Sequence, residues 1–224
     1  DIRYRFNPLL NNNIISWYQY QEYINELAEK VVQVFYPDII IGIFQGGYMV
    51  MQSLADHFKK SRIAGLHIDF DKTDQMVKIE YTDEDKGNVT QDLKFKKVLL
   101  VDEVVDSGKT ILHCINKIIE YNPVELKTAC LFYNQNSVQS IDFSYESFNE
   151  AVNYILPWRY RRDSIGLIAD ILKNQGSMSV QELKDILLYR YQINISRNTI
   201  KEDLIQHMDI FNQDMERWSI VTDG

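Results

Sequence analysis

Val98-Leu99-Leu100-Val101-Asp102-Glu103-Val104-Val105-Asp106-Ser107-Gly108-Lys109-Thr110 is the stretch on which the reading of this chain turns. Lys97 opens a continuous apolar run, the pattern of a strand buried on both faces of a parallel sheet. The run ends on two carboxylates. A loop over Asp102–Lys109 follows, and a helix then extends to about Tyr121, before Pro123. In open α/β sheets, ligands gather at the carboxyl ends of the strands. A helix N-terminus adds free N–H groups and partial positive charge, which suit a phosphate. Gly108 lets the backbone come close, Ser107 and Thr110 bring hydroxyl donors, and Lys109 brings charge. Asp102 and Glu103 are acceptors, so they suit sugar hydroxyls, directly or through Mg²⁺. A plain strand–turn–helix capped by Asp106 or Ser107 explains the glycine but not two acids at the tip of an apolar strand.

Strands alternate with helices on both sides of this stretch. Ser16 and Gln19 have the spacing of a capping box. Trp17, Tyr20, Ile24, Leu27, Val31 and Val34 recur at helical spacing until Pro37. Ile39–Ile41 reads as a buried strand, Gly42–Gly47 as a turn, and Tyr48 to Lys60 as a helix. Leu66–Phe70 is a second strand. The polar segment from Asp71 to Asp92, with alternation at Val77–Tyr81, reads as a hairpin or a flap. Leu126–Tyr133 and Ala151–Leu156 complete the strands. This order predicts an α/β domain with a parallel sheet flanked by helices.

The pattern changes after Pro157-Trp158-Arg159-Tyr160-Arg161-Arg162. The expected domains are therefore 1–162 and 163–224. The second holds three helical segments, Ile165–Asn174, Val180–Tyr191 and Ser196–His207, punctuated by Gly176 and Asn194. An alternating tail follows from Phe211 to Val221. Ser179 with Glu182, and Ser196, are the expected caps. Trp158 reads as core, and the basic run at 159–162 as a solvated linker face.

The 224 residues carry 24 Lys plus Arg against 32 Asp plus Glu, a net charge of −8 that argues against a general nucleic-acid coat. No apolar run reaches the roughly 18 residues that span a bilayer, and the start lacks a basic segment followed by an apolar core, so no membrane and a cytoplasmic location are expected. The first residue is not Met, which points to a trimmed start. Cys114 and Cys130 sit in apolar stretches without metal-ligand spacing and read as reduced core thiols.

The 98–110 stretch resembles the 5-phosphoribosyl-1-pyrophosphate (PRPP) motif of type I phosphoribosyltransferases: four apolar residues, two acids, two apolar residues, then Asp-Thr-Gly, with Ser107 for Thr. The resemblance covers roughly residues 14–160 in the order of the xanthine/guanine branch. It implies the type I phosphoribosyltransferase fold with a flexible flap at 71–92. It also implies an enzyme, a pentosyltransferase that moves phosphoribosyl to a purine-like base with release of pyrophosphate and Mg²⁺ as cofactor. The implied roles are ribose and metal binding for Asp102 and Glu103, and catalysis for Asp106. Asp106, Ser107, Gly108, Lys109 and Thr110 would cradle the 5′-phosphate, and Phe44, Gln45, Gly46 and Gly47 the pyrophosphate. The base would meet Asn134, Tyr133, Asn153 and Tyr154. Three positions depart from the branch. Gln45 stands where Arg is usual, Asn134 where a Lys reads the base oxygen, and Asn153 where a Trp stacks on the purine.

The C-terminal segment resembles a winged helix-turn-helix, with Ser196–Lys201 opening the recognition helix. Arg197, Asn198, Thr199 and Lys201 are types that touch DNA. From Ser164 on, six basic residues face nine acidic ones, a net −3 that favours a protein partner or a helical docking role. A homo-oligomer is also open. The alternatives to a salvage-type transferase are a PRPP- or nucleotide-sensing regulator and an effector that attacks nucleotides.

Overall fold

The computed structural model describes residues 11–59, 61–69, 76–81, 92–150 and 152–221. The elements run β1 (Asn11–Ile14), α1 (Trp17–Val32), β2 (Ile39–Ile43), α2 (Gly46–Ala55), β3 (Arg62–Asp69), β4 (Met76–Tyr81), β5 (Lys97–Val105), α3 (Lys109–Ile119), β6 (Glu125–Asn134), β7 (Phe143–Phe148) and β8 (Val152–Ile155). After a 3₁₀ turn at Pro157–Arg159 come α4 (Tyr160–Gln175), β9 (Met178–Ser179), α5 (Val180–Tyr191), α6 (Arg197–Gln206), β10 (Phe211–Asp214) and β11 (Arg217–Ile220). Two compact units result. One is Gln21–Glu150; the other joins the described residues up to Tyr20 to those from 152 onward.

In the first unit, six strands form one sheet in the order β4-β3-β2-β5-β6-β7. Neighbours are parallel except β3 and β4, which are antiparallel. The sheet is two-sided because its central strands alternate over apolar residues on both faces. Ile39, Ile41, Ile43, Val98 and Leu100 share a buried cluster with Ile111, Cys114 and Ile118 of α3. Gly42 has the opposite parity, and a Cβ there would lie 2.9 Å from the Met51 Cβ of α2. Helices α2 and α3 therefore cover opposite faces, as the alternation of elements predicted.

Several boundaries differ from the expectation. The central strand does not stop at Val101 but continues to Val105, so Asp102 and Glu103 are strand residues, in a stretch where Asp102, Val104 and Val105 pair with β6. The turn after β2 is shorter than Gly42–Gly47, and α2 starts at Gly46 and ends at Ala55. Three strands escaped the sequence reading, the two-residue β9 among them. Asn11–Ile14 is too polar to signal a strand and forms one by parallel pairing with β8. Phe143–Phe148 is a sheet edge with weak alternation. Of the flap segment, β4 is described, whereas 70–75 and 82–91 lie outside the described residues. In α1, Tyr20, Ile24, Leu27 and Val31 are buried as expected, but Trp17 is 55% and Val34 75% exposed. The Ser16–Gln19 capping box forms, with Gln19 N–H donating to Ser16 Oγ at 3.2 Å and Ser16 N–H to Gln19 Oε1 at 2.9 Å.

In the second unit, β10, β11 and β9 form an antiparallel sheet. Ser179 and Glu182 make a complete capping box, and Ser196 Oγ accepts the Thr199 N–H. The break after α5 falls on Gln192, at φ 57°, rather than on Asn194. Trp158 packs edge-on to Tyr20, with centroids 4.9 Å apart. The basic run is not a free solvated face. Arg159 and Arg162 pair with the buried Asp163 at 3.2 and 3.4 Å, and Arg161 with the buried Asp203 at 3.4 Å. Helix α4 runs unbroken through Asp163, the expected domain boundary. Ile155, and Ile14 at its margin, belong to the same core as α4, α5 and α6.

Both cysteines are free and buried. Burial, reinforced by the charge of Asp102, pushes the Cys114 thiol up to about 12 and that of Cys130 well above its usual range. They are protonated packing groups, as expected. Leu100 is fully buried, so Leu100→Ala is expected to cost about 2–5 kcal/mol by lost burial and a residual cavity. The shift of the urea unfolding midpoint measures it.

Candidate active site

The tip of β5 and the β2–α2 turn are built against each other. A Cβ on Gly47 would fall 2.4 Å from the Val101 carbonyl oxygen and 2.9 Å from the Asp102 Cα. Only glycine permits that approach of backbone to backbone. A Cβ on Gly46 would lie 1.9 Å from the Glu103 carboxyl carbon. The Phe44–Gln45 peptide is cis. The Phe44 ring stacks on His67 at 3.8 Å and on Tyr48 at 4.6 Å, over Gly65, whose missing side chain makes room for it. Gly46 thus lies against Glu103 and Gly47 against the main chain of Asp102, whereas the Phe44 ring turns to His67 and Tyr48.

Adjacent strand residues face opposite ways. Glu103 accordingly lies against the Gly46 turn, while Asp102 acts electrostatically on Cys114 of α3 and Cys130 of β6. Asp102 Oδ1 accepts the Glu103 N–H at 2.8 Å. The acids therefore flank the strand tip instead of sitting side by side.

Beyond Val105 the chain turns through Asp106, Ser107 and Gly108 into α3. Gly108, at φ 75°, is the N-cap and supplies no side-chain cap. Ser107 Oγ reaches the Lys109 N–H only at 3.5 Å. The capping role considered for Asp106 or Ser107 is therefore largely unfilled, and the first N–H groups of α3 keep donor capacity for an anion. Helix α2, opening at Gly46 beside Gln45, also has no side-chain cap. By contrast α5 and α6 are capped by serine. Asp106, Ser107 and Lys109 are exposed, and Thr110 is half-buried.

Asn134 ends β6 beside this loop. Its Nδ2 donates to Asp106 Oδ1 at 2.7 Å, and its Oδ1 accepts the Asn136 N–H at 2.9 Å. Tyr133 is half-buried against the α3-side core. Asn153 and Tyr154 belong to β8, in the other unit. Tyr154 is only 5% exposed, so its ring is core there and not an open stacking platform. The sequence reading passed over Gly65 and His67, which seat Phe44, and Ser137, whose Oγ lies 2.0 Å from where a Gly108 Cβ would stand. A glycine inside a strand, as at Gly65, is a signal of close approach; Ser137 carries no signal of its own.

Among the described residues, no cluster of three or more His, Cys, Asp and Glu could hold a metal alone. Asp102 and Glu103 do offer hard carboxylate oxygens, which fit Mg²⁺ when a substrate supplies further oxygens. Among the described residues, no helix is long and apolar enough to cross a membrane.

The family model for the phosphoribosyl transferase domain matches residues 16–164. Among solved structures, the chain is similar to a purine phosphoribosyltransferase from Pyrococcus horikoshii, at 27% identity and TM-score 0.55 over 66% of this chain and 94% of that one. A xanthine-guanine-hypoxanthine phosphoribosyltransferase from Helicobacter pylori shares the fold at 20% identity and TM-score 0.51, over 64% and 92% of the two chains. So does a hypothetical protein from Neisseria gonorrhoeae with bound ppGpp, at 22% identity and TM-score 0.53, over 67% and 90%. No curated protein matches the chain.

Gly108→Ala would force an alanine into left-handed backbone and against Ser137. It is expected to destabilise the fold by about 1–2 kcal/mol from the backbone alone. Pairing it with Ser137→Ala should recover only the part due to the clash, read by thermal unfolding of both variants.

Proposed function

We propose, from the premise that this chain belongs to the phosphoribosyl transferase domain family, that it transfers phosphoribosyl from PRPP to a purine base and releases pyrophosphate. The observation that carries this reading is the packing of the Gly46–Gly47 turn onto the tip of β5. That packing sets the start of α2, which has no side-chain cap, against the end of β5, which carries Asp102 and Glu103 and leads into the likewise uncapped start of α3. The likeness to the Pyrococcus horikoshii protein, a purine phosphoribosyltransferase at 27% identity, supports purine as the acceptor class.

The reaction displaces pyrophosphate at the anomeric carbon by a base nitrogen. Positive charge develops on the sugar ring as the leaving group departs. Ser107 to Thr110 and the N–H groups opening α3 would hold the 5′-phosphate. The N–H groups of Gly46 and Gly47 would face the diphosphate, with Gln45 offering a neutral amide where the branch usually has a cation. Asp102 and Glu103 would orient the ribose hydroxyls. Asp102 or Glu103 would offer carboxylate oxygens to Mg²⁺ bound with the substrate, which would supply charge neutralisation of the leaving group. Asp106 would accept the proton of the attacking base or stabilise it by charge. Such a site accelerates chiefly by holding the reactants in place and by prearranged charge.

A second reading applies to the region beyond residue 164, which the family model does not reach. Its order of helix, short strand, two helices and hairpin, with the strands in one antiparallel sheet, supports reading it as a winged helix-turn-helix. Ile205, Met208 and Met215 are 51%, 49% and 90% exposed on α6, after it and at the hairpin turn. Together with the net negative charge, they favour a protein partner over DNA. A fluorescent 20-base-pair duplex is expected to show no anisotropy change at about 150 mM salt; salt-dependent binding would overturn this reading.

For the transferase reading, the protein with PRPP, Mg²⁺ and a panel of purine bases is expected to release pyrophosphate. Asp106→Asn should lower kcat by at least about 100-fold, the usual scale for a positioned acid–base group, with an unchanged melting temperature. Asp102→Ala should weaken PRPP binding and its Mg²⁺ dependence, read by calorimetry.

A further inference from the structure

The short contact between Asn134 and Asp106 gives the base-side residue a different task from the one its position suggests. Asn134 stands where the resemblance expects a lysine that reads the base. Both ends of its amide are already engaged within the protein. A carboxylate in its ionised form can only accept, and a backbone N–H can only donate. The 2.7 Å contact to Asp106 Oδ1 and the 2.9 Å contact from the Asn136 N–H therefore fix which end of the amide is which. The oxygen is tied to the loop after β6, and the nitrogen is aimed at the acid.

The backbone makes the pairing rigid. β5 and β6 are parallel, with Val105 opposite Tyr133, so Asp106 and Asn134 follow at the next position of each strand. Asp106 is exposed at the end of its strand, where a carboxylate without a partner would sample several rotamers. The hydrogen bond from Asn134 selects one of them.

We infer that Asn134 is a positioning residue, which aims the Asp106 carboxylate for the transfer step, and is not the residue that selects the base. The inference rests on the transferase reading above. It accounts for the change from a charged, flexible side chain to a short planar amide. An amide fixed by the Asn136 N–H holds its donor still, whereas a lysine would bring a mobile charge. It also places base selection elsewhere in the site.

Steady-state kinetics of Asn134→Ala and Asn134→Asp across the base panel test it. Asn134→Asp keeps the shape and the contact with the Asn136 N–H but turns the donor into an acceptor facing Asp106. Removing a hydrogen bond to a charged group is worth about tenfold in rate. Asn134→Ala is expected to lower kcat by about that factor for every base, and Asn134→Asp by more. The KM for each base should stay within about twofold, and the order of preference among bases should not change. A crystal structure of Asn134→Ala should show the Asp106 side chain in a new rotamer or in several. Thermal unfolding of both variants at the wild-type temperature shows that the fold is intact. A rise in base KM with kcat preserved, or a reordering of the bases, would make Asn134 a base-reading residue and overturn the inference. So would wild-type kinetics in Asn134→Asp. Either result leaves the transferase reading standing. Wild-type protein that turns over no base at all would remove both.

Discussion

The approach of the β2–α2 turn to the end of β5 is the constraint on which the site depends. Two segments of main chain meet there at a separation that leaves no room for a side chain, at Gly47 against Val101 and Asp102. Main chain is the stiffest part of a protein, so groups attached at such a junction are placed more firmly than groups on a loop. The junction is anchored by the sheet itself. β2 and β5 are adjacent parallel strands, and their registered pairing from Ile39 with Val98 to Gly42 with Val101 runs up to the residue before the contact. The apolar runs that bury this pair on both faces therefore hold the candidate site in place.

Around that junction the charges are arranged in opposition. Helix N-termini without side-chain caps, at Gly46 and Lys109, present partial positive charge. The carboxylates of Asp102 and Glu103 leave the strand tip on opposite sides of the sheet. A ligand that suits this surroundings carries both anionic groups and hydroxyls, separated by a few bonds. A phosphorylated sugar has that composition. A bare nucleobase does not, and neither does a simple polyanion, which the acids would repel. The apolar neighbours matter too. Cys114 and Cys130, next to Asp102, are fully buried, and electrostatic contacts are stronger in such surroundings.

The sequence disclosed most where structure and chemistry coincide in one unbroken stretch. Residues 98–110 carry the strand, the acids, the glycine and the helix start in order, so the motif could be read without any tertiary information. Ile39–Ile41 and Leu126–Tyr133 were legible for the same reason, as continuous apolar runs. What depends on residues far apart was not legible. Asn11-Asn12-Asn13 has no strand signature and becomes a strand only by pairing with β8, about 140 residues later. The extension of β5 to Val105 comes from pairing with β6, which overrides the turn-forming character of Asp102 and Glu103. The contact of Asn134 with Asp106 spans 28 residues, and no spacing rule connects them. The arginines at 159–162 read as solvated because their acids, Asp163 and Asp203, lie on helices whose packing composition alone does not reveal.

The shared core of the second unit bears on how such a chain could acquire or lose its tail. Family likeness ends at residue 164, within the first turns of α4, but the apolar interior does not respect that border: Ile155 and Ile14 sit in one cluster with Leu167, Leu183 and Leu204. Cutting the gene where the likeness stops would leave only the opening turn of that helix and strip the cluster from Ile14 and Ile155 of the strand pair β1–β8. The tail is thus not luggage strapped to a finished enzyme. It is masonry set into the same wall, and lineages that discard it would have to reface that wall with polar residues first.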